Sequence, residues 1–393
     1  MAETAITTLV IEPDHHGHHL QSASWVVRAA SRWGPVVLLT NREARGSAEF
    51  ATFLADAEAE GRVEVREVFD SILPPTAQVA EQMGRVCRDA DPAQPVGVVI
   101  HMDGDQALKR WWYLAPRHLR GLAVRPRVTF MLTRYPARAR LLDRPSQRLR
   151  VSKSVLAVVA RLTRALDRVT GFAGRDDTAR GWIVRRAVDP AFSTAHSRDA
   201  AALRRKHGLP LDRRLVGVFG VLTARRNAPM ILEGMERAGL DAELLIAGKV
   251  HDDMRGWLDG LSPQQAARLR VRDAFLDDDE LDELVAAVDV VPLALTNNGP
   301  SGIMGKAEAA GVPVVTAGSV VRAAEVTALR AGVACALDPD ALGRAMADVL
   351  AGRVRVETGR EDPWEAVDRY VAVLLEIGPD GRPPVLRRLA GGR

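Results

Sequence analysis

The pattern of apolar and polar positions changes period along this chain in a regular way. AITTLVIEP, near the N-terminus, is a β-branched apolar run that stops at a proline, which predicts a buried strand. LQSASWVVRAASRWG then places apolar residues at helical spacing and ends on glycine, which predicts a helix. The alternation continues with PVVLLTN as strand, SAEFATFLADAEAEG as helix and RVEVREVF as strand. AQVAEQMGRVCRDA follows as helix, then PVGVVIHMD and RVTFMLTRYP as strands. Strands apolar on both faces, set between amphipathic helices, predict a parallel sheet covered on both sides.

A second copy of this grammar begins near residue 213. RRLVGVFGVLT, DAELLIAGK, VRDAF, VVPLAL and VPVVTAG read as strands; APMILEGMERAG, SPQQAARLR, DDELDELVAAVD and SGIMGKAEAAG read as helices. GWIVRRAVDPAFS, between the halves, has the proline and small residues of a domain connection. DPWEAVDRYVAVLLEIG is a late helix, and the Pro/Gly/Arg-rich tail PDGRPPVLRRLAGGR reads as disordered. The expected layout is α/β: two doubly wound units at 1–187 and 188–360, a helix at 361–377 and a tail at 378–393. Ligands of such sheets bind beyond the carboxyl ends of the strands, so the site is expected in a cleft between the units.

Length supports the division, since 393 residues exceed one ordinary core. Cys87 and Cys335 give neither a disulfide framework nor metal-ligand spacing, which fits a reducing, cytoplasmic setting. The N-terminus has no basic and apolar leader pattern, and no apolar run reaches the ~20 residues that span a bilayer. A net charge of +4 is small for this length and argues against a nucleic-acid binder. The cations are unevenly placed. Lys109, Arg110, Arg117, Arg120, Arg125, Arg127, Arg134, Arg138, Arg140, Arg144, Arg148, Arg150 and Lys153 fall in one stretch with Trp111, Trp112 and Tyr113. Residues 109–153 suit peripheral contact with an anionic membrane or an anionic acceptor, or read equally as a solvated arginine face over core tryptophans.

The candidate chemistry lies at strand ends. Ser301 is a good N-cap, and the first amides of the helix it opens, on Gly302, Ile303 and Met304, would favour a phosphate. Arg225 and Arg226 follow one predicted strand directly and Lys249 follows another, so three strand-end features converge on one anion. The stretch DHHGHHLQ holds His15, His16, Gly17, His18 and His19. Adjacent histidines on a loop point apart, and two at a helix start diverge by about 100°, so no metal site is expected. One imidazole, of His18 or His19, is expected to face the cleft as a hydrogen-bonding or proton-transfer group; a polar turn is the other reading.

LVGVFGVLTARRNAPMILEGM, AELLIAGK, DELDELVAAVDVVPLAL and SGIMGKAEAAGVPVV resemble the C-terminal domain of GT-B glycosyltransferases of the retaining, family 4 type. IEPDHHGHHLQSASWVVRAA resembles their N-terminal glycine loop, IVRRAVDPAF their linker, and PWEAVDRYV the helix that crosses back to the first domain. The resemblance covers about residues 6 to 376. It implies two tandem Rossmann-like domains and transfer of a sugar from a nucleotide-activated donor to an unidentified acceptor hydroxyl, with retention and with neither metal nor resident cofactor. It implies that Gly17 lets backbone approach donor or acceptor, and that His101, at a strand end, lies under the donor sugar. Two glutamates of the family pattern, which approach the donor sugar and the ribose, are replaced by Asn298 and Lys306, so that with the nearby acid Glu308 these are the candidate sugar or ribose contacts, and the first basic position of the arginine loop is Val221. A sugar-nucleotide epimerase of the same fold, or a non-catalytic nucleotide- or partner-binding chain, are the alternatives.

Overall fold

The computed structural model describes residues 5–136, 143–176, 179–190, 193, 199–296, 301–357 and 363–386. Seven parallel strands form the first sheet: β1 (Thr7–Ile11), β2 (Val36–Asn41), β3 (Glu64–Phe69), β4 (Val96–His101), β5 (Arg127–Leu132), β6 (Arg168–Ala173) and β7 (Arg185–Val188). Their order is β3-β2-β1-β4-β5-β6-β7, so the chain winds outward both ways from β1 and β4. β1 and β4 are buried at every position, as strands covered on both faces must be. One face packs Val10, Leu38, Val98 and Ile100 under the helix His19–Ala30; the other packs Leu9, Leu39, Val99 and Phe130 around Trp111.

The second unit holds β8 (Arg214–Phe219), β9 (Ala242–Ala247) and β10 (Leu269–Arg272) in one parallel sheet. β11 (Val291–Ala294), β12 (Val314–Ala317) and β13 (Gly332–Cys335) form another. A parallel bridge between Val216 and Val290 joins β8 to β11, so the six strands run as one surface. The fold is thus the two-unit GT-B arrangement of Rossmann-like sheets.

Several elements differ from the sequence expectation. GWIVRRAV, read as connection, contains edge strand β7, which pairs on one side only and buries Ala187 alone of its four residues. SPQQAARLR ends its helix at Ala266, and Leu269 already starts β10. The helix Pro363–Leu375 packs Val367, Tyr370, Val371 and Leu374 into the core of the first unit. The expected disordered tail is ordered as far as Leu386, because Val385 and Leu386 join that core; the rest lies outside the described residues. Among the described residues no helix is long and apolar enough to cross a membrane.

Candidate active site

The carboxyl edges of the two sheets face one another. Gln21, in the first turn of the helix His19–Ala30, hydrogen bonds through its amide to Asp278, and Arg175, just after β6, reaches Glu308 and Glu325 at 3.1 and 2.8 Å. Arg175 Nη2 also lies 3.5 Å from the Ser301 carbonyl oxygen. The strand-end loops of both units therefore line one cleft.

On the side of the second unit the cations cluster. After β8 the chain turns at Gly220, whose φ is +82°, and a Cβ there would come within 2.7 Å of Arg226 Nη2. The left-handed backbone is what calls for glycine there, and the guanidinium lies over it. Arg226 Nε donates to the Val221 carbonyl at 3.3 Å, and Asn227, at φ +52°, ties the loop to the end of β11 through Ala294 O at 2.6 Å. Leu222 N–H donates to Lys249 O at 2.9 Å, which sets exposed Lys249 beside the same loop. Burial first, then the charge of neighbouring Arg225, lowers the Arg226 guanidinium to about 10. No carboxylate forms an ion pair with Arg225, Arg226 or Lys249 among the described residues.

Arg322, which the sequence reading missed, belongs to this group. It is fully buried in the first turn of the helix Val320–Ala328 and donates to Leu295 O at 2.5 Å. Burial lowers it to about 10; Glu325 opposes that shift, and Arg226 and Arg225 add to it. Its sequence signal is its place: a cation in a first helical turn opposes the helix dipole and needs another reason to be there.

The helix Gly302–Ala310 opens as expected, with Ser301 Oγ accepting from Met304 N–H at 3.3 Å. That bond removes Met304 from the expected phosphate donors, and its side chain is fully buried. The amides of Gly302 and Ile303 keep the open position, with Gly302 exposed and no atom within 4 Å of a Cβ there. Asn298 lies outside the described residues. Lys306 is already engaged: its ammonium pairs with fully buried Asp282 at 2.6 Å and Asp278 at 3.5 Å. Glu308 is held across the cleft by Arg175 of the first unit at 3.1 Å. Both side chains are drawn off by buried opposite charge, which outweighs solvation at these positions.

On the side of the first unit the histidines divide. His15 is buried, its Nδ1 2.7 Å from Asn41 Nδ2, and its ring stacks on His16 at 4.1 Å. His18 and His19 do not diverge; their rings stack at 5.1 Å, because His18 is the N-cap with non-helical backbone. His19 Nδ1 lies 3.2 Å from Glu12, and its Nε2 3.8 Å from Asp14. Burial alone would lower His19, but Glu12, Asp14 and Asp103 together raise it to about 9, making it an imidazolium at neutral pH. Burial raises the Glu12 carboxyl above its usual range and the His19 contact opposes that shift; the 3.2 Å approach to a raised His19 favours the ion pair. His18 is lowered to about 4 by the surrounding protein and then by the charge on His19, although its ring keeps an exposed surface. Among the described residues no three His, Cys, Asp or Glu side chains converge on a metal position.

His101 and Gly17 have different surroundings. His101 turns its ring into the core, edge-on to Phe130 at 5.1 Å and to Trp111 at 6.5 Å, and burial lowers it to about 4. Its ring is not presented to the cleft. Gly17 has the expected left-handed backbone at φ +59°, but nothing crowds a Cβ there, and its N–H already donates to Glu49 at 3.0 Å. The basic stretch is partly internal as well: Lys153 binds Asp105 in the core, Arg125 pairs with Asp167 and Arg127 with Glu376, while Arg138 and Arg140 lie outside the described residues. A cavity of about 250 Å³ lies between Gln21, Arg28, Asp278 and Trp364, and the arginine loop takes no part in its lining.

Comparison with known proteins agrees at the level of the fold. No family model matches the chain, and no curated protein matches it. Among solved structures it is similar to a sucrose-phosphate synthase from Thermosynechococcus elongatus, with 14% identity over 99% of this chain and 100% of that one and a TM-score of 0.64. It is similar to Anabaena HepE in complex with UDP-glucose, with 14% identity, 98% and 99% coverage and a TM-score of 0.61. It is also similar to WaaG, a glycosyltransferase of lipopolysaccharide biosynthesis, with 14% identity, 94% and 99% coverage and a TM-score of 0.59.

Proposed function

We propose that this protein is a glycosyltransferase that takes its sugar, a hexose or a relative, from a nucleoside-diphosphate donor seated against the second unit. The observation that carries this is the grouping of Arg225, Arg226, Lys249 and Arg322 after the carboxyl ends of strands in the same unit whose Gly302 and Ile303 amides are open. Such a group is built for a diphosphate, whose charge it holds before and after the glycosidic bond breaks. It supports a metal-independent reaction, since protein cations and a helix terminus can stabilise the leaving diphosphate. The acceptor hydroxyl sits on the side of the first unit near His18, whose neutral ring can accept a hydrogen bond and whose neighbour His19 is a fixed cation. Retention and a family 4 type follow from the resemblance of the second-unit motifs, and a cytoplasmic setting from the cysteine usage. Exposed Lys109, Arg110, Arg117 and Arg120 beside Trp112 and Tyr113 support peripheral contact with an anionic surface or acceptor.

A non-catalytic nucleotide binder is the second reading, favoured by the locking of Lys306 onto Asp282 where the resembling family carries a glutamate. One experiment separates the two. The protein is incubated with UDP-, GDP- and dTDP-sugars, with and without hydroxylated acceptors, in EDTA, and nucleoside diphosphate release is followed beside calorimetric binding. Release at a rate EDTA does not change is expected. Binding without release supports the second reading, and turnover restored by one metal overturns the metal-free reaction.

A further inference from the structure

The helix Arg144–Leu162 runs on the outside of the first unit, with Lys153, Ala157 and Ala160 turned inward. The opposite face should be polar. It holds Val151, Val155, Val158 and Leu162 instead, all exposed, at helical spacing over about 16 Å of axis. Leu162 is 79% exposed. Beside it lies Trp182, 95% exposed, on the turn before edge strand β7, brought alongside by the Arg161 guanidinium donating to Ile183 O at 2.6 Å. A tryptophan with almost no protein contact, next to a row of bare aliphatic side chains, is an uncovered apolar surface that the catalytic reading does not use.

The rim of this surface carries charge of one sign. Arg144 and Arg148 continue the same helix face toward its N-terminus, and Arg164 and Arg180 flank the other end; none has a carboxylate partner among the described residues. The acids nearby are engaged inward: Asp143 caps the helix, Asp167 holds Arg125, and Glu376 holds Arg127 and Arg168. We infer that the outer face of the Arg144–Leu162 helix, with Trp182, is a docking surface for an anionic lipid bilayer. Interfacial tryptophan and aliphatic side chains enter the headgroup boundary while arginines meet lipid phosphates. A second copy of the chain fits less well, because a twofold contact would press each basic rim against its own like. This surface deepens the peripheral-contact reading and moves it from the tryptophan helix at residues 109–120 to the helix that follows.

The test is co-sedimentation with phosphatidylcholine vesicles, with and without phosphatidylglycerol, alongside light scattering for mass and calorimetry with UDP as a folding control. The protein should bind the anionic vesicles and lose most of that binding in high salt. Leu162→Ser with Trp182→Ser should weaken it about tenfold or more while nucleotide binding stays unchanged. Arg148→Ser with Arg164→Ser should flatten its salt dependence. Equal vesicle binding by the Leu162/Trp182 variant overturns this surface, and a loss through Trp112→Ser instead returns the contact to residues 109–120. Absence of vesicle binding overturns both while leaving the transferase reading to its own assay. A dimer that the Leu162/Trp182 variant dissociates assigns the face to a second copy and overturns the lipid.

Discussion

Arg226 should stabilise a bound diphosphate and destabilise the empty protein, and the two effects can be measured on one variant. Burial, more than any other cause, holds this guanidinium well below its ordinary range, at about 10. At ~1.4 kcal/mol per pH unit the fold stores up to about 3 kcal/mol in holding the charge; the part-exposed edge screens a share, leaving ~1–2 kcal/mol. Arg226→Met keeps the aliphatic packing over Gly220 and removes the charge. Thermal denaturation without ligand should rise, since no carboxylate loses a partner. Calorimetry with the nucleoside diphosphate should show affinity weakened by roughly ten- to hundredfold, the cost of one charge-assisted contact at about 1.5–3 kcal/mol. The opposite signs are the test. An unchanged dissociation constant would place the diphosphate elsewhere, and a lower melting temperature would mean that Arg226 holds the loop together.

Three further outcomes follow from the geometry. Glu12→Gln should bring the His19 imidazole down from about 9 toward 6.5 in a histidine NMR titration. Because the folded value is raised, the stability tied to this charge is fully present below 6.5 and lost as pH rises through 9, so the variant should flatten the melting curve across that window; a wild-type His19 titrating near 6.5 would refute the ion pair. Gly17→Asn should keep more turnover than Gly17→Val, because φ +59° rather than crowding is the constraint there; equal loss in both would point to a ligand at the Cβ position. Arg175→Met should cost about 3–5 kcal/mol in denaturant unfolding by leaving Glu325 and Glu308 unpaired, and a second change, Glu325→Gln, should recover part of it; a variant as stable as wild type would remove this clasp between the units.

The fold was legible where the pattern is local. Buried strands such as TTLVI and VVLLT announce themselves by continuous apolar runs, and both strands lie where those runs are. Elements whose identity depends on neighbours were not. β7 is half-buried and pairs on one side only, so its arginines looked like linker. β6 carries an interior glycine that only Tyr135, packed 3.0 Å from where a Cβ would be, explains. The four-residue β13 is nowhere fully buried.

The same division runs through the candidate site and has a physical cause. Backbone features are written in sequence: the Ser301 cap and the strand ends that precede Arg225, Arg226 and Lys249 stand where the pattern put them. Side-chain direction is written by the rest of the fold. His101 leaves the cleft because Phe130 and Trp111 offer its ring an apolar wall. Lys306 is held instead by Asp282, fully buried one helix away, whose carboxylate lies 2.6 Å from its ammonium. An unpaired Asp282 would cost several kcal/mol, so exchanging Lys306 for the family's glutamate would set two buried acids side by side. The two positions therefore have to change together, and a glutamate restored at 306 alone would test the folding of the Asp278–Ala287 helix before it tested the sugar site.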